Sequence, residues 1–476
     1  MISSWRRRRA ARRAQKVVLM AGSSDEEEAA ASDQVELLTM PNHFRCPISL
    51  DLMKDPVTLS TGITYDRGSI EKWIESGNMT CPVTNQPLSI RSLDVSPICI
   101  PNHAIRRMIQ DWCVENCSFG IERIPTPRIP VSPMDASEIL NNIASTSSRG
   151  DRQGCIQSLA KFKSLVRESE RNKRCFVTHG AGTVLSSAFK EFSNSSSSSS
   201  SSSSLLQENN VIVFEEILSV LPFMFPLDED ARSQLGSPIA MHCIVSLMRS
   251  AGLCTRRNSV LALKEIVSSS DSGGNQVEAL AVIDGALEAI FELIKEPICP
   301  TATKASLVIT YHITTLHPTP TNERIINRLV EIGLVNLLVE TLIDADKSIS
   351  EKVLGVLNGI CNTELGIHTA YDNSLVIAVL VKKLLRVSDL ATDFSVSILW
   401  KLLTTRISRN ENEVGDDALV EALQVGAFQK LLLILQVGCG ESTKEKATEL
   451  MKLLNLHRDR LECIDSQDFK DLKRPF

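Results

Sequence analysis

Aromatic side chains are scarce in this sequence: Phe, Trp and Tyr together make up 4% of its 476 residues. Long apolar runs are also missing, because no stretch approaches the roughly 18 uncharged apolar residues that a membrane-spanning helix needs. The sequence therefore predicts no membrane span. Its 13 cysteines are irregularly spaced and odd in number, and we recognise no secretory leader, so we expect free thiols in a reducing compartment.

Paired zinc ligands are lacking as well. Between residues 40 and 115 the candidates stand singly, with no Cys-x2-Cys pair among them: His43, Cys46, Cys81, Cys99, His103 and Cys113. A structural zinc site takes four such ligands, which usually come as close pairs, and two cross-braced sites need about eight. We therefore predict no metal and no other cofactor, and interpret these thiols as small buried hydrophobic side chains.

Residues 44–88 nevertheless have the layout of a small recognition module, with two loops around a short helix. The loops begin at Cys46-Pro47 and Cys81-Pro82. A helix between them is indicated by the i, i+3, i+4 spacing of its apolar residues, with a polar residue able to cap its start and a glycine able to end it. The apolar residues are Ile70, Trp73 and Ile74, the candidate caps are Asp66 and Ser69, and the glycine is Gly77.

A second helix is predicted after Asn102, which can cap it. One apolar stripe runs along it: Ile105, Met108, Ile109 and Trp112. Short strands over residues 57–59 and 63–65 are expected on either side of a turn at 60–62.

This pattern, over residues 41–115, resembles the U-box, the zinc-free relative of the RING finger in ubiquitin ligases. The resemblance implies a small α+β domain that docks a ubiquitin-conjugating enzyme through three kinds of residue: an apolar loop-one residue, a central-helix residue and a loop-two proline. It assigns those roles to Ile48, Trp73 and Pro82, with Leu50 adjoining them, while plain core packing is the alternative for Ile48 and Trp73. Polar contacts must replace zinc as the brace, and the candidates are Tyr65, Asp66, Arg67 and Glu71.

Loop two departs from the family at Asn85, where some members have an arginine that contacts ubiquitin. An asparagine amide can still donate a hydrogen bond there, with a shorter reach. We find no cysteine paired with a histidine and an acid that could carry ubiquitin, so no catalytic residue is assigned. The resemblance implies instead that the charged conjugating enzyme is held and oriented while a substrate lysine attacks its thioester.

The rest of the chain repeats one helical pattern six times. Apolar residues at i, i+3, i+4 and i+7 recur in stripes beginning at Leu185, Ala240, Leu287, Val335, Ile377 and Phe428. Their spacing suits repeats of about 40–47 residues with inserted loops. Gly-Ala-Leu or Gly-Leu-Val opens what we take as the third helix of a unit, except at Ile377, where Leu375 stands instead of glycine.

These units resemble armadillo repeats, which stack into an α-solenoid with a groove for protein ligands. Armadillo importins line that groove with Trp and Asn, and the four Trp residues here are too few for a nuclear-import groove. With the U-box, the array makes the chain similar to the plant U-box–armadillo ubiquitin ligases. The resemblance implies a conjugating enzyme, ubiquitin and a substrate protein as partners, and a role in plant stress or immune signalling.

The predicted fold is mainly α, with a small U-box domain followed by a solenoid of armadillo-like repeats. The expected organisation is a charged disordered leader (1–40), the U-box (41–115), a Pro-rich linker (116–134), the repeat array (135–465) with a disordered serine tract (193–204), and a tail (466–476). The apolar block 211–225 is interpreted as a core helix. Either Met1 or Met20 can be the start.

The expected location is the cytoplasm, and also the nucleus if the basic run near the start acts as a localisation signal rather than a disordered tail. No specific nucleic-acid binding is expected, and homodimerisation is left open. Two other interpretations remain. The chain could be a non-catalytic armadillo scaffold with a degenerate U-box, for which Asn85 is the one hint, or a zinc RING enzyme that unfolds with chelator.

Overall fold

The computed structural model describes residues 40–88, 99–126, 130–197, 208–268, 273–316, 319–405 and 414–457. The chain divides into two compact units, with the boundary between Ile129 and Pro130. The predicted leader, the choice between Met1 and Met20, and the predicted tail lie outside the described residues, apart from Met40 at the leader's end.

The first unit is built on a three-stranded antiparallel sheet in the order β2-β1-β3. Its elements are β1 (Pro56–Thr58), β2 (Thr64–Asp66), α1 (Arg67–Glu75), β3 (Ile100–Pro101) and α2 (His103–Glu115), with 3-10 turns at Asn42–Phe44 and Cys117–Phe119. Val57 lies opposite Tyr65 on one side and Pro101 on the other. Strand β1 begins and ends one residue earlier than predicted, and β2 begins and ends one residue later. The third strand was not predicted, because two residues carry no alternation of apolar and polar side chains.

The start of each helix in this unit follows a different rule. Asn102 caps α2 as predicted, since its Oδ1 accepts a hydrogen bond from the amide of Ile105 at 3.0 Å. Asp66 occupies the N-cap position of α1, but its side chain makes no capping bond there. That carboxylate is used elsewhere, in the first loop, so the expectation that Asp66 or Ser69 caps α1 through a side chain is wrong for Asp66.

The second unit is entirely helical among its described residues. It opens with a pair of helices, α3 (Pro133–Ser148) and α4 (Arg152–Glu168), and continues with six triplets. The triplets are α5 (Glu170–Thr178), α6 (Ala181–Ser197), α7 (Glu208–Val220); α8 (Glu229–Leu235), α9 (Pro238–Ser250), α10 (Leu253–Val267); α11 (Gly273–Ala281), α12 (Ala286–Lys295), α13 (Pro300–Thr314); α14 (Pro320–Glu331), α15 (Leu334–Asp344), α16 (Lys347–Ile360); α17 (Glu364–Tyr371), α18 (Val376–Lys383), α19 (Asp389–Thr405); and α20 (Val414–Gln424), α21 (Ala427–Val437), α22 (Glu441–Leu456). A 3-10 turn, Leu221–Met224, follows α7.

Each triplet consists of a short helix, a stripe helix that carries one of the six predicted stripes, and a ladder helix. The ladder helices (α4, α7, α10, α13, α16, α19 and α22) each pack against the next, and every stripe helix packs against the ladder helix that follows it. The six stripes and the mainly α fold class are confirmed. The predicted position of the stripe helix within a repeat was wrong. The array begins with a pair of helices, and in each triplet that follows, the stripe helix is the second helix and not the third.

Glycine opens four of the stripe helices because the chain reverses there through a left-handed residue, namely Gly180, Gly285, Gly333 and Gly426. Gly333, for example, has φ +92°, and an added Cβ would meet nothing within 4 Å, so only the backbone conformation selects glycine. The exception at Leu375 has a physical basis, since its φ is −95° and its amide is held by Asn373 Oδ1 at 3.0 Å. A side-chain hydrogen bond thus replaces the left-handed turn.

Two helix boundaries differ from expectation. The block 211–225 is not one helix: α7 ends at Val220, and Pro222 lies in a 3-10 turn, because proline has no amide to donate within a helix. The serine tract, expected to be disordered from residue 193, continues α6 as far as Ser197. Ser193 is buried there, with its hydroxyl donating to the carbonyl of Phe189 at 2.7 Å. Residues 198–204 lie outside the described part.

Candidate functional site

Two loops of the first unit share one backbone arrangement. In the first, the amide of Leu50 donates to the carbonyl of Cys46 at 2.8 Å; in the second, Asn85 donates to Cys81 at 2.9 Å. Each cysteine amide in turn donates to the residue five positions later, Asp51 or Gln86, at 2.9 Å in both loops. The loops are therefore two copies of one tight turn, each beginning at a buried cysteine followed by a proline.

Both turns depend on a residue in the left-handed region, with φ +60° at Leu50 and +55° at Asn85. Asparagine tolerates this conformation through local hydrogen bonding, whereas leucine is a bulky residue for which it costs about 1–2 kcal/mol. The strain is retained at a position where the Leu50 side chain is 61% exposed. Strain at an exposed apolar residue is a feature of binding loops.

The first loop is braced by a carboxylate network. Asp66 Oδ1 accepts from the amides of Lys54 at 2.8 Å and Asp55 at 3.0 Å, and the amide of Asp66 donates to Cys46 Sγ at 3.3 Å. Asp55 binds Arg67 Nε through Oδ2 at 2.7 Å, and its Oδ1 accepts from Arg106 Nη2 on α2. These contacts tie the first loop to β2 and to both helices of the unit.

The remaining predicted bracing residue in this network, Glu71, lies one helical turn from Arg67, with 3.8 Å between its Oε1 and the Arg67 Nη1. Sequence reasoning missed Asp55 and Arg106. The signal for them was weak, because a lone aspartate and a lone arginine far apart in the chain show no pattern until the fold pairs them.

The second loop is braced through Cys81. The Tyr65 hydroxyl lies 3.0 Å from Cys81 Sγ, and the Thr61 hydroxyl donates to the same sulfur at 3.3 Å. The amide of Val83 donates to the Tyr65 oxygen at 3.3 Å, so that phenol also holds the tip of the loop. Tyr65 and Asp66, adjacent in β2, thus hold one loop each.

These contacts change the acidity of both partners. Burial raises the pKa of the Cys81 thiol, but the hydroxyls of Thr61, Thr84 and Tyr65 outweigh that effect and lower it to about 6. The pKa of Tyr65 is raised, first by burial and then by its hydrogen bond to Cys81. Cys81 is fully buried, so the favoured thiolate accepts hydrogen bonds and is closed to outside reagents.

The central helix α1 is connected to the second loop by Trp73. Its Nε1 donates to the carbonyl of Thr80 at 2.9 Å, while its ring is half-buried against the core of the unit. Ile70 and Ile74 are buried outright. Trp73 therefore supports the start of the second loop and also leaves part of its ring accessible.

The predicted docking residues differ in exposure. Ile48, Trp73 and Pro82 are half-buried, whereas Leu50 and Asn85 are exposed. Val83, which was not assigned a docking role, is 55% exposed at the tip of the second loop. Its position after Cys81-Pro82 matches that of Ile48 after Cys46-Pro47, and this internal correspondence was visible in the sequence.

No three His, Cys, Asp or Glu side chains in the described ranges of the chain group together as metal ligands would. The four described cysteines of residues 40–115 are buried, namely Cys46, Cys81, Cys99 and Cys113. Two of them, Cys46 and Cys81, accept hydrogen bonds at matching positions of the two loops.

In the helical unit, polar side chains connect successive ladder helices. Lys401 on α19 donates to Asn358 Oδ1 of α16 at 2.9 Å and to Oδ1 of Asn362, just after α16, at 2.7 Å. Burial lowers the pKa of Lys401 to about 8. Trp400 on the same helix donates to Glu449 of α22 at 2.7 Å. The ladder therefore presents a fixed polar and aromatic surface over its last three helices.

No single helix in the described parts of the chain is long and apolar enough to cross a membrane, although one bent pair, Ala418–Gln424 with Ala427–Val437 at 67°, meets the length and composition criteria.

Comparison with known proteins bears on both units. A family model described as U-box domain matches residues 40–118, and one described as plant U-box protein ARM repeat region matches residues 135–474. U-box domain-containing protein 21 of Arabidopsis thaliana is 43% identical over 442 residues, covering 92% of this chain and 94% of that protein. E3 ubiquitin-protein ligase PUB23 of the same plant is 32% identical over 426 residues, covering 88% of this chain and 93% of that protein.

Among solved structures, a designed armadillo repeat protein matches with a TM-score of 0.41 and 18% identity, covering 56% of this chain and 99% of that one. The family match to the helical unit alone covers more than half of the chain, and the relatives cover nearly all of it. This chain belongs to the plant U-box family of armadillo-repeat proteins.

Proposed function

We propose that this protein is an E3 ubiquitin ligase. Its U-box holds a ubiquitin-charged conjugating enzyme, and its armadillo array binds the protein that receives ubiquitin. Two relatives that are 32% identical to this chain are named E3 ubiquitin-protein ligases, which supports the same activity here. The observation that carries the proposal is the pair of matched, braced loops that expose apolar side chains.

The docking surface consists of Ile48, Leu50, Trp73 and Pro82, with Val83 beside them. Small interfaces are held by a few apolar or aromatic anchors within a polar rim, and these residues fit that description. The braces through Asp66 and Tyr65 keep the loops from moving, so little ordering entropy is lost on binding. Asn85 lies at the exposed end of the second loop, where its amide can donate to ubiquitin.

The chemistry is direct transfer. The amine of a substrate lysine attacks the thioester carbonyl on the conjugating enzyme, an isopeptide bond forms, and the thiolate of that enzyme leaves. The ligase supplies proximity and orientation rather than a nucleophile. Cys81 has a lowered pKa but no access to solvent, so it cannot accept ubiquitin.

Substrate binding falls to the helical unit. The last ladder helices carry half-buried polar and aromatic groups, such as Trp400 and Lys401 on α19, and Lys446 of α22 lies 6.0 Å from the Trp400 ring centroid. A repeat array of this kind offers an extended surface to a protein ligand. Pull-down with the fragment 133–476, compared with the full chain, tests whether the array selects substrates without the U-box.

The docking assignment is tested by autoubiquitination with activating enzyme, conjugating enzyme, ubiquitin and ATP. We expect Ile48→Ala/Trp73→Ala to reduce chain formation at least tenfold, because each anchor contributes about 1–2 kcal/mol or more. Leu50→Ala tests the surface without touching the Trp73 hydrogen bond. The matched control is Ile100→Ala, since Ile100 is equally exposed, at 61%, on the same unit.

Unchanged activity in the Ile48→Ala/Trp73→Ala variant would exclude this docking surface. An inactive wild-type protein across a panel of conjugating enzymes would instead favour the alternative function, a scaffold with a degenerate U-box, for which Asn85 is the supporting observation. Restoration of activity by Asn85→Arg would then identify the missing ubiquitin contact.

A further inference from the structure

The segment between the central helix and the second loop exposes one large apolar side chain. Helix α1 ends at Glu75, and residues 76–80 lead from it to Cys81. Within that segment Met79 is 53% exposed, close to the 55% of Val83 at the tip of the second loop. The proposed docking surface does not include Met79, so the side chain has no role there yet.

The main chain around Met79 is held beside Trp73. The Asn78 side-chain amide donates to the carbonyl of Trp73 at 3.1 Å, and the carbonyl of Thr80 accepts from Trp73 Nε1 at 2.9 Å. The carbonyl of Met79 itself accepts from the amide of Leu88 at 2.8 Å. Three consecutive residues are therefore fixed by hydrogen bonds, and none of those bonds uses the Met79 side chain.

The side chains of this segment alternate in exposure. Asn78 and Thr80 are half-buried, whereas Met79 between them is exposed. Thr80 also forms an antiparallel bridge with Pro87, and successive side chains of extended chain point to opposite sides. Met79 thus points out of the unit because of the direction of a fixed main chain.

We propose that Met79 contacts the conjugating enzyme and helps to select which conjugating enzymes bind, an inference that rests on the proposed ligase function. Both neighbours of Met79 are hydrogen-bonded to Trp73, and Pro82 follows it by three residues. A conjugating enzyme that contacts both Trp73 and Pro82 spans the segment that joins them. Met79 is the large apolar side chain that this segment exposes.

Methionine suits a contact that differs from one partner to the next. Its side chain is unbranched, has three rotatable bonds and carries a polarizable sulfur, so it adapts to surfaces of different shape. The Trp73 ring is held by its hydrogen bond, and Pro82 is held by its own ring. The rigid pair therefore provides the contact common to all partners, and Met79 adjusts to the features in which they differ.

The first test is a photo-crosslink in the full-length protein. A photoreactive amino acid replaces Met79, and the protein is irradiated with each member of a panel of ubiquitin-charged conjugating enzymes. We expect crosslinks between position 79 and the conjugating enzyme. The matched control carries the same amino acid in place of Ile100, which is 61% exposed on β3, and should give none. Absence of a crosslink from position 79 to every enzyme of the panel would overturn the proposal.

The second test compares Met79→Lys with Met79→Glu. The dissociation constants of the uncharged panel members are measured together with the maximal rate of ubiquitin release to free lysine. We expect the two charges to shift the affinities of individual enzymes in opposite directions by about threefold or more, so that the order of preference changes. The maximal rate should stay the same, because Met79 touches no reacting atom.

A residue that only supports the fold would weaken the binding of every enzyme alike. One unchanged order of preference in both Met79 variants would therefore refute the selective role. Ile100→Lys and Ile100→Glu are the controls for added surface charge.

The variant Ile48→Ala/Trp73→Ala separates this inference from the proposed function. Full activity in that variant, or a wild-type protein that binds no conjugating enzyme, would exclude the docking surface and the role of Met79 with it. Loss of activity there, with an unchanged order of preference in the Met79 variants, would leave the docking surface in place and refute this inference alone.

Discussion

The phenolic oxygen of Tyr65 lies 3.0 Å from the sulfur of Cys81, and the tyrosine is the donor. The Tyr65 oxygen already accepts a hydrogen bond from the amide of Val83, which leaves its own proton for the sulfur. A charged sulfur accepts such a bond more strongly than a thiol does. The contact therefore stabilises the thiolate, and this is one reason why the pKa of Cys81 lies near 6 rather than near 9.

Stability of the U-box should consequently rise with pH between about 6 and 9. In that window the unfolded chain holds a proton on Cys81 that the folded chain has released, so the folded state gains as pH increases. Tyr65→Phe should start the rise at a higher pH, and Cys81→Ala should remove it. Urea unfolding at several pH values measures the effect, and an equal slope in Cys81→Ala would disprove it.

The Asp55 carboxylate should be the most sensitive point of the first loop. Asp55→Ala leaves Arg67 with only Glu71 and the nearly buried Arg106 with only His103, and we expect a loss of about 2–3 kcal/mol, somewhat below the value for a fully buried pair because Asp55 is partly exposed. In a double-mutant cycle, Asp55→Ala with Arg106→Ala should cost less than the two single losses together. Asp111→Ala, on the exposed side of α2, serves as control in urea unfolding, and full additivity would contradict the coupling.

Leu50→Asn should separate stability from activity. Asparagine accepts a φ of +60° more readily than leucine, so the variant should be more stable by up to about 1 kcal/mol. It also removes an exposed apolar anchor, and autoubiquitination should fall several-fold. Melting temperature and activity are measured on the same preparation. A variant that loses stability and activity together would mean that Leu50 supports the fold rather than docking.

Gly333 and Gly252 together test whether the left-handed backbone conformation is the reason for glycine at the turn before a helix. Neither site has an atom within 4 Å of an added Cβ, but φ is +92° at Gly333 and −64° at Gly252. Gly333→Ala should therefore destabilise the array by about 1 kcal/mol, whereas Gly252→Ala should be nearly neutral, because the smaller unfolded-state entropy of alanine offsets its poorer fit to the N-cap position of α10. Urea unfolding of the two variants decides the matter, and equal effects would point to packing instead of backbone conformation.

Local patterns were sufficient to predict the helices. The stripe beginning at Phe428 predicts α21 because periodic burial is encoded within one helix, and Asn102 predicts the start of α2 because a cap involves neighbours in sequence. The Cys-Pro pairs located both loops. Each of these signals lies within a few residues of the structure that it specifies.

The brace between Asp55 and Arg106 could not be predicted in this way, since its two residues are brought together only by the fold. The short strand β3 had no period to detect. The serine tract misled in the opposite direction: composition indicated disorder, yet Ser193 lies buried within α6, where its hydroxyl donates to the carbonyl of Phe189. Composition describes a tendency, and the neighbouring buried residues decided the outcome.

The two loops of the first unit have matching backbone hydrogen bonds but different side chains at their tips. The turns contain a buried cysteine, a proline and one left-handed residue, and their polar side chains make local hydrogen bonds: the Ser49 hydroxyl accepts from the amide of Asp51, and the Thr84 hydroxyl from the amide of Gln86. Ile48 and Val83 can therefore be exchanged for other residues without refolding the turn. In the proposed docking role, single substitutions at these positions would change the preference for conjugating enzymes.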